Sequence, residues 1–191
     1  MQAVLPDICL LGLNHKVAPV EVREQVAFAE PEIRQVLPDL LDEAGIDEAY
    51  LLSTCNRTEL YAVGESAVQV ELGLRRFLER RREAFYRRYG ERLYVRTGQE
   101  AVAHLFRVAA GMDSMMLGEP QILGQVKAAY QLAMEVGATG SVLNRLLDFA
   151  LAVGKRVRHE TALGQGAISI PYAAVELAGK IFGHFERHTA L

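Results

Sequence analysis

The chain has 191 residues, of which 50% are hydrophobic and 24% are charged. This composition is typical of a folded globular chain and excludes a disordered one. The formal net charge of −3 excludes the strong overall basicity of a dedicated nucleic-acid-binding domain. Two cysteines cannot form a disulfide framework, and no group of histidines and cysteines has the spacing of a zinc site.

The N-terminal residues lack the features of a secretory signal peptide. They contain neither a basic stretch nor a cleavage site of small residues, and no apolar run of the sequence is long enough to span a membrane. We therefore expect a cytoplasmic protein with no membrane segment and no bound metal.

The first half of the sequence predicts a β-sheet combined with helices. Short apolar runs bounded by turn residues indicate strands at residues 8–13, 49–53, 59–63 and 93–96. Apolar residues at helical spacing predict helices over residues 20–28, 31–41 and 68–89. The order β-α-α-β-β-α-β is a variant of the ferredoxin-like arrangement. We therefore predict an α+β fold with an antiparallel sheet.

The rest of the sequence predicts helices at residues 99–110, 121–136, 142–160 and 171–182. We accordingly divide the chain into a sheet part (1–97), a helical part of the same domain (98–140), a connecting helix (141–163) and the beginning of a further domain (164–191). Gly164 and Gly166 follow a helix and give only Gly-x-Gly. A dinucleotide-binding loop needs a longer glycine pattern after a strand, so the sequence predicts no cofactor site in these residues.

Eight arginines crowd one predicted helical stretch, interspersed with glutamates. They are Arg75, Arg76, Arg80, Arg81, Arg82, Arg87, Arg88 and Arg92. One interpretation is a solvated helix face with ion pairs between neighbouring turns. The alternative is a patch that contacts the phosphates of a tRNA.

Cys55 is the candidate nucleophile, because it directly follows a predicted strand within a polar string. If the backbone stays extended, the side chains of Cys55 and Arg57 lie on the same face. A guanidinium there either favours the reactive thiolate or binds a substrate carboxylate through two hydrogen bonds. The alternative for an isolated cysteine is inert packing, which we expect for Cys9 in its apolar strand.

Two predicted helices carry further candidate residues. His104 lies on a helix, where a histidine is often structural. Glu119 and Pro120 are typical of a helix start, whose free N–H groups suit a carboxylate or an oxyanion. Gln121 and Gln125 fall on one face of the same helix, either solvated or bonded to a polar substrate.

Five stretches resemble glutamyl-tRNA reductases and occur in the order of that family, namely residues 12–15, 52–61, 104–109, 111–125 and 155–158. The two most specific strings are Ser-Thr-Cys-Asn-Arg-Thr-Glu at 53–59 and Leu-Gly-Glu-Pro-Gln-Ile-Leu-Gly-Gln at 117–125. The resemblance implies that a cysteine thiolate attacks the ester carbonyl of glutamyl-tRNA and forms a thioester. Hydride from NADPH then reduces the thioester to glutamate-1-semialdehyde, the first step of tetrapyrrole biosynthesis.

The resemblance also implies roles for individual residues. Cys55 matches the nucleophile, and His104 matches a histidine needed for activity that either protonates the leaving oxygen or polarises the carbonyl. The positions that match substrate-binding residues are Thr54, Asn56, Arg57, Ser114, Glu119, Pro120, Gln121 and Gln125. Among these, Arg57 is the one expected to bind the glutamate carboxylate.

Members of this family continue into an NADPH-binding domain and a helical dimerisation domain. We expect the chain to be a fragment with only the thioester-forming half of the reaction, and therefore unable to reduce a substrate by itself. The full-length form is expected to be a homodimer that hands its product to the aminomutase. Two rival hypotheses are a non-catalytic module that binds tRNA or a protein partner, and a cysteine esterase.

Overall fold

The computed structural model describes residues 7–164 and 170–183. Its strands are β1 (Asp7–Asn14), β2 (Glu48–Ser53), β3 (Arg57–Gly64) and β4 (Tyr94–Thr97). The helices in the first half are α1 (Val20–Arg23), α2 (Glu30–Leu41), α3 (Ala67–Arg81) and α4 (Glu83–Tyr89). Those that follow β4 are α5 (Gly98–Ala109), α6 (Gln121–Glu135), α7 (Ser141–Glu160) and α8 (Ile170–Phe182).

The four strands form one sheet in the order β2-β3-β1-β4, and every neighbouring pair is antiparallel. The predicted α+β fold with a ferredoxin-like antiparallel sheet is confirmed. Strand β3 begins at Arg57, two residues before the predicted start, and pairs with the whole length of β1. Every residue of β3 is buried, as is every residue of β1 except Asp7.

Alternation along the strands divides their side chains between two helical layers. Helices α2 and α3 pack on one face, and α5, α6 and α7 pack on the other. Cys9 on β1 belongs to the α3 face and is buried, as expected for a packing residue, and burial raises the pKa of its thiol to about 12. Arg57 and Glu59, two residues apart on β3, both belong to the face covered by α5 and α7.

The predicted helix over residues 20–28 is wrong beyond its first turn. Helix α1 ends at Arg23, and hydrogen-bonded turns follow as far as Val26. The N–H of Phe28 donates to Ser53 Oγ at 2.9 Å, so this backbone is tied to the end of β2. A tertiary contact has therefore replaced the helical hydrogen bond that local periodicity predicts.

The single helix predicted over residues 68–89 is broken at Arg82, whose φ of −137° and ψ of 50° are not helical. The Arg82 guanidinium donates to both carboxylate oxygens of Glu32 at 2.8 Å and to the Ala27 carbonyl at 2.7 Å. It also lies 3.9 Å above the centre of the Phe28 ring. These contacts fix the break between α3 and α4.

Six of these arginines are ion-paired. Two pairs join neighbouring turns of one helix, as the first interpretation predicts, whereas the other four join the stretch to carboxylates in residues 32–43. The pairs are Arg75–Glu71, Arg76–Glu43, Arg80–Glu43, Arg81–Asp39, Arg82–Glu32 and Arg87–Glu83. A phosphate contact by the same arginines stays a prediction.

Residues 165–169, which include part of the Gly164–Gly166 pattern, lie outside the described residues. Within residues 7–164 and 170–183, no helix combines the length and the apolar character needed to cross a membrane. The same ranges contain no cluster of three or more histidines, cysteines, aspartates or glutamates arranged to hold a metal ion.

Candidate active site

A tight turn between β2 and β3 presents Cys55 to solvent. The N–H of Thr54 donates to the Arg57 carbonyl at 2.8 Å, which closes the turn. The Thr54 hydroxyl accepts hydrogen bonds from the N–H groups of Asn56 and Arg57, each at 3.2 Å. Because the strand direction reverses here, Cys55 and Arg57 do not lie along one extended strand, so the extended backbone on which the same-face expectation depended is not present.

Two neighbours hold the backbone of the turn. The Arg23 side chain donates to the Cys55 carbonyl at 3.1 Å and to the Ala18 carbonyl at 2.8 Å. The N–H of His15 donates to the Asn56 carbonyl at 3.0 Å. The Cys55 side chain is exposed, whereas the residues on either side of it are half-buried. The thiol therefore stands on a backbone that is fixed by hydrogen bonds.

Glu59 is the centre of a buried polar network below the turn. Its carboxylate is 0% exposed and accepts hydrogen bonds from Arg57 at 2.7 Å, Tyr94 at 2.6 Å and Tyr61 at 2.8 Å. His104 Nε2 on α5 lies 2.8 Å from Glu59 Oε1. Four side chains from two strands and a helix thus converge on one carboxylate.

Space for this network comes from Gly12, which faces Glu59 across the β1–β3 pair. A Cβ atom at position 12 would lie 2.9 Å from Glu59 Cγ and 3.0 Å from the Tyr94 ring. Both distances are shorter than ordinary contacts, so a side chain there would displace the carboxylate or the phenol. Glycine is therefore needed at position 12 so that the Glu59 and Tyr94 side chains can pack closely against β1.

Asp113, in the loop between α5 and α6, binds the other side of the Arg57 guanidinium. Arg57 Nη2 donates to the Asp113 carbonyl at 2.7 Å and to its carboxylate at 3.2 Å. Asn14 Nδ2 donates to the same carboxylate at 3.4 Å, and the Lys16 ammonium forms an ion pair with it. The loop is therefore anchored to the sheet through Arg57.

The network fixes the charges of its members. Burial opposes ionisation of Glu59, but His104, Arg57 and Tyr94 outweigh it and lower the pKa of this carboxyl from 4.5 to about 2. Burial likewise opposes ionisation of Asp113, but Lys16 and Arg57 lower its pKa. Burial and the charge of Glu59 raise the pKa of Tyr94, which therefore remains a donor. Arg57 is thus balanced by two carboxylates.

The sequence matches the family model described as glutamyl-tRNAGlu reductase, N-terminal domain, over residues 11–161. The chain belongs to the glutamyl-tRNA reductase family. The resemblance seen in the sequence is therefore confirmed.

Individual members of the glutamyl-tRNA reductase family show the extent of the match. The chain is 50% identical over 184 residues to a glutamyl-tRNA reductase of Rubrobacter xylanophilus, covering 96% of the chain and 43% of that relative. The corresponding protein of Aquifex aeolicus is 46% identical over 186 residues, with 97% and 45% covered. The solved glutamyl-tRNA reductase from Methanopyrus kandleri superimposes with a TM-score of 0.72 at 38% identity, covering 91% of the chain and 39% of that protein. The chain thus spans less than half the length of these reductases.

The residues expected to bind substrate in glutamyl-tRNA reductases fall into two groups. Thr54 and Asn56 form the Cys55 turn, and Ser114 adjoins Asp113 at the Arg57 network. Glu119, Pro120 and Gln121 mark the start of α6, where the carbonyls of the first two accept hydrogen bonds from Arg158 at 3.1 and 2.6 Å. Gln125 lines an open groove of about 310 Å³ between α2 and α6 that begins at Ser53.

Arg57 and His104 are less accessible than their expected roles suggest. Arg57 is 1% exposed, and its terminal nitrogens already donate to Glu59 and Asp113. His104 is 2% exposed and has Nε2 next to Glu59. Direct contact of either residue with substrate stays a prediction.

Sequence reasoning missed the residues that hold these two side chains in place. Glu59 and Tyr61 lie in an apolar strand, Tyr94 lies at the sheet edge, and Asp113 lies in the loop before α6, 56 residues away from Arg57 in the sequence. The sequence contained one signal of this network, namely Glu59 itself. A glutamate between buried strand positions is rare without a polar partner. The identity of its partners depends on long-range contacts, which the sequence does not display.

Proposed function

We propose that the chain catalyses glutamyl transfer from glutamyl-tRNA to the thiol of Cys55. The observation that carries this proposal is an exposed cysteine at the end of a fixed turn, backed by a buried network of balanced charges. Fixed backbone and ordered charges are what an acyl-transfer site needs, because reorganisation during the reaction is costly. Membership of the glutamyl-tRNA reductase family supports the choice of substrate.

The transfer step exchanges one acyl bond for another. The Cys55 thiolate attacks the ester carbonyl, a carbon–sulfur bond forms and the carbon–oxygen bond to the ribose breaks. The ribose oxygen leaves and takes up a proton, so the products are an enzyme thioester and free tRNA. An aminoacyl ester is already activated, so a positioned thiolate suffices as nucleophile.

Residues around the turn supply the substrate contacts in this proposal. Thr54, Asn56 and Ser114 lie at the thiol and the Arg57 network, where the glutamyl group would bind. Glu119, Pro120 and Gln121 lie at the start of α6, a few residues after Ser114 in the sequence. Gln125 lines the groove that Ser53 also lines.

Within the network, we assign positioning roles to Arg57 and His104. Both are buried and bonded to Glu59, so each helps to fix that carboxylate, and Arg57 also anchors the Asp113 loop. A substrate carboxylate that reaches Arg57 would have to bind beside Asp113, which already contacts the guanidinium.

Reduction to glutamate-1-semialdehyde completes the reaction proposed for the full-length enzyme and requires hydride from NADPH. Among residues 7–164 and 170–183, none forms the strand, glycine-rich loop and helix that hold a dinucleotide. We therefore assign no NADPH site and derive no reductive step. Dimerisation and transfer of the product to the aminomutase belong to the same proposal for the full-length form.

The proposal is tested by intact-mass spectrometry after acid quench of the chain mixed with glutamyl-tRNA. We expect a glutamyl adduct on the wild type and none on Cys55→Ser, whereas Cys9→Ser, the matched control at the buried cysteine, retains the adduct. Adding NADPH should leave the adduct unreduced. Absence of an adduct, with tRNA still bound, would support the rival hypothesis of a non-catalytic tRNA-binding module.

The cysteine-esterase hypothesis is distinguished by its acyl preference. Glutamyl transfer predicts that esters of other amino acids acylate Cys55 much more slowly than glutamyl esters. Equal turnover of unrelated small esters would favour the esterase.

A further inference from the structure

Arg23, the last residue of α1, holds its guanidinium against the backbone of the nucleophile itself. Nε donates to the Cys55 carbonyl at 3.1 Å, and Nη1 donates to the Ala18 carbonyl at 2.8 Å. The hydrogen bond to Cys55 is exposed to solvent, whereas the Arg57 side chain is only 1% exposed. Two carbonyl groups therefore fix the Arg23 guanidinium in one orientation beside the thiol, on an accessible side of the turn.

The positive charge of Arg23 is not balanced by a carboxylate. Within residues 7–164 and 170–183, no aspartate or glutamate forms an ion pair with it, although Glu21 and Glu24 are its neighbours in the sequence. Nη2 forms no hydrogen bond in this part of the chain either, and it is open to solvent rather than buried. A carbonyl accepts a hydrogen bond without neutralising the charge, so Arg23 keeps both a free donor edge and its positive charge.

The other cations near the turn are already paired. Burial lowers the pKa of His15, and Arg57, Lys16 and Arg23 lower it further, against the opposing effect of Asp113. Arg57 and Lys16 both form ion pairs with Asp113. Arg23 is therefore the cation of this group whose charge remains available to an anion outside the protein.

We propose that the free edge of the Arg23 guanidinium binds a backbone phosphate of the tRNA, next to the aminoacylated ribose. Guanidinium groups bind phosphate through charge-assisted hydrogen bonds, and such contacts form on open surfaces. The inference rests on the proposed function, because the phosphate comes near Arg23 only when the glutamyl ester lies at Cys55. The other anion of the substrate is the glutamate carboxylate, and the experiment below distinguishes the two.

Two small substrates isolate the phosphate. Glutamyl esters on the ribose of adenosine and of adenosine monophosphate differ by a single phosphate group. Below saturation, the wild type should form the Cys55 adduct about tenfold faster with the phosphorylated ester, the value of one charge-assisted hydrogen bond. Intact mass after acid quench gives the rates. Equal rates of the wild type with the two esters would overturn the phosphate contact without the need for any variant.

Substitutions of Arg23 separate binding from positioning of the turn. Glutamine keeps an amide donor for one carbonyl but has no charge, whereas lysine keeps the charge. Arg23→Gln should lose the preference for the phosphorylated ester and react about tenfold more slowly with subsaturating glutamyl-tRNA, whereas Arg23→Lys should lose less. At saturation the rate should be close to that of the wild type, because the contact is the same before and during the reaction.

The matched control removes one positive charge elsewhere. Lys180→Gln changes an ammonium that pairs with Glu176 on α8 and should behave as the wild type. All variants are compared after their thermal unfolding has been matched to that of the wild type. An equal defect of Arg23→Gln with both small esters would overturn the proposal, because Arg23 would then position Cys55 or bind the glutamyl group.

Salt dependence keeps this inference separate from the proposed function. The slope of log affinity for tRNA against log salt should be shallower by about 0.7 in Arg23→Gln, as expected for one lost phosphate contact with a single strand. If the wild type forms no adduct with any substrate, the proposed function fails. A shallower slope in Arg23→Gln would then still support the phosphate contact, whereas equal slopes would overturn it.

Discussion

Glu59 and Glu48 are two buried carboxylates on the same face of the sheet, and they differ in what surrounds them. Side chains of Arg57, Tyr61, Tyr94 and His104 converge on Glu59. The carboxylate of Glu48 on β2 instead accepts hydrogen bonds from the N–H groups at positions 142 and 143, at 3.0 and 2.7 Å, in the first turn of α7. The Glu59 carboxylate thus organises other ionisable side chains, whereas the Glu48 carboxylate accepts hydrogen bonds from backbone N–H groups.

This difference shows why burial alone does not identify a functional carboxylate. A glutamate at a helix N-terminus satisfies donors that every helix leaves free and interacts favourably with the helix dipole, so Glu48 is explained by stability. The Glu59 network contains an arginine and a histidine, and polar atoms of His15 and Ser114 beside it lack partners in the described structure. Perturbed ionisable groups next to unsatisfied polar atoms are typical of a functional site.

The strongest test of this distinction is Glu59→Gln compared with Glu48→Gln. We expect Glu59→Gln to cost about 3 kcal/mol or more in the free energy of unfolding, because it leaves Arg57 buried with one carboxylate fewer. It should also slow glutamyl transfer to Cys55. Glu48→Gln keeps one acceptor oxygen and should cost about 1 kcal/mol with no change in the transfer rate of the folded protein. Urea unfolding and adduct kinetics measure the two effects, and similar transfer defects in both variants would contradict the distinction.

Acid titration gives an independent view of the same substitution. The folded-state pKa of Glu59 is lowered from 4.5 to about 2, so its ionisation stabilises the fold fully above pH 4.5. This contribution, about 3 kcal/mol, is lost as the pH falls from 4.5 to 2. The stability difference between wild type and Glu59→Gln should therefore shrink over that range. A difference that stays constant would show that the pKa of Glu59 is not lowered in the folded protein.

A smaller effect on the same network is expected from amide substitutions of His104. Glutamine places its amide nitrogen near the position of Nε2, which bonds to Glu59, whereas asparagine places it near Nδ1. If His104 acts by positioning Glu59, His104→Gln should retain more of the transfer rate than His104→Asn, with both variants folded. Equal and large losses in the two variants would instead indicate that the imidazole itself transfers a proton during the reaction. Single-turnover adduct formation, followed by intact mass, gives these rates.

The element types were predictable because strands and helices of this chain follow clean apolar periodicity. Local rules failed where a single side chain formed several long-range contacts. Arg82 breaks the helix at the junction of α3 and α4, because Glu32, Ala27 and Phe28 hold its guanidinium from another part of the chain. A helix is the better local prediction there, and tertiary contacts reverse it.

The candidate site was predictable only in part, for the same reason. Cys55 was identified from its polar string after a strand and from the family motif. Asp113, which holds Arg57, was not identified, because 56 residues separate them in the sequence. The expectation that Arg57 binds the glutamate carboxylate came from the family resemblance and stays a prediction, but the turn at Thr54 removes the additional argument from its spacing to Cys55.

The smallest predicted effect concerns Gly140, which precedes α7 and lies next to the Glu48 carboxylate. Its φ of −117° and ψ of −154° are extended and open to any residue, so alanine there carries no backbone strain. An added Cβ would, however, lie 2.5 Å from Glu48 Oε1 and 2.7 Å from its Cδ. Gly140→Ala should therefore displace the Glu48 carboxylate from the helix terminus and cost about 1 kcal/mol, a typical value for a lost cap.

A double-mutant cycle isolates this mechanism. With Glu48→Ala already present, the carboxylate is gone, so Gly140→Ala should cost almost nothing further. Gly124→Ala is the matched control, because a Cβ there meets no atom within 4 Å and alanine favours a helix interior. Urea unfolding of the four proteins of the cycle gives the coupling energy. Additive costs would show that Gly140 acts independently of Glu48, whereas strong coupling with an unchanged transfer rate would confirm that this carboxylate serves the scaffold alone.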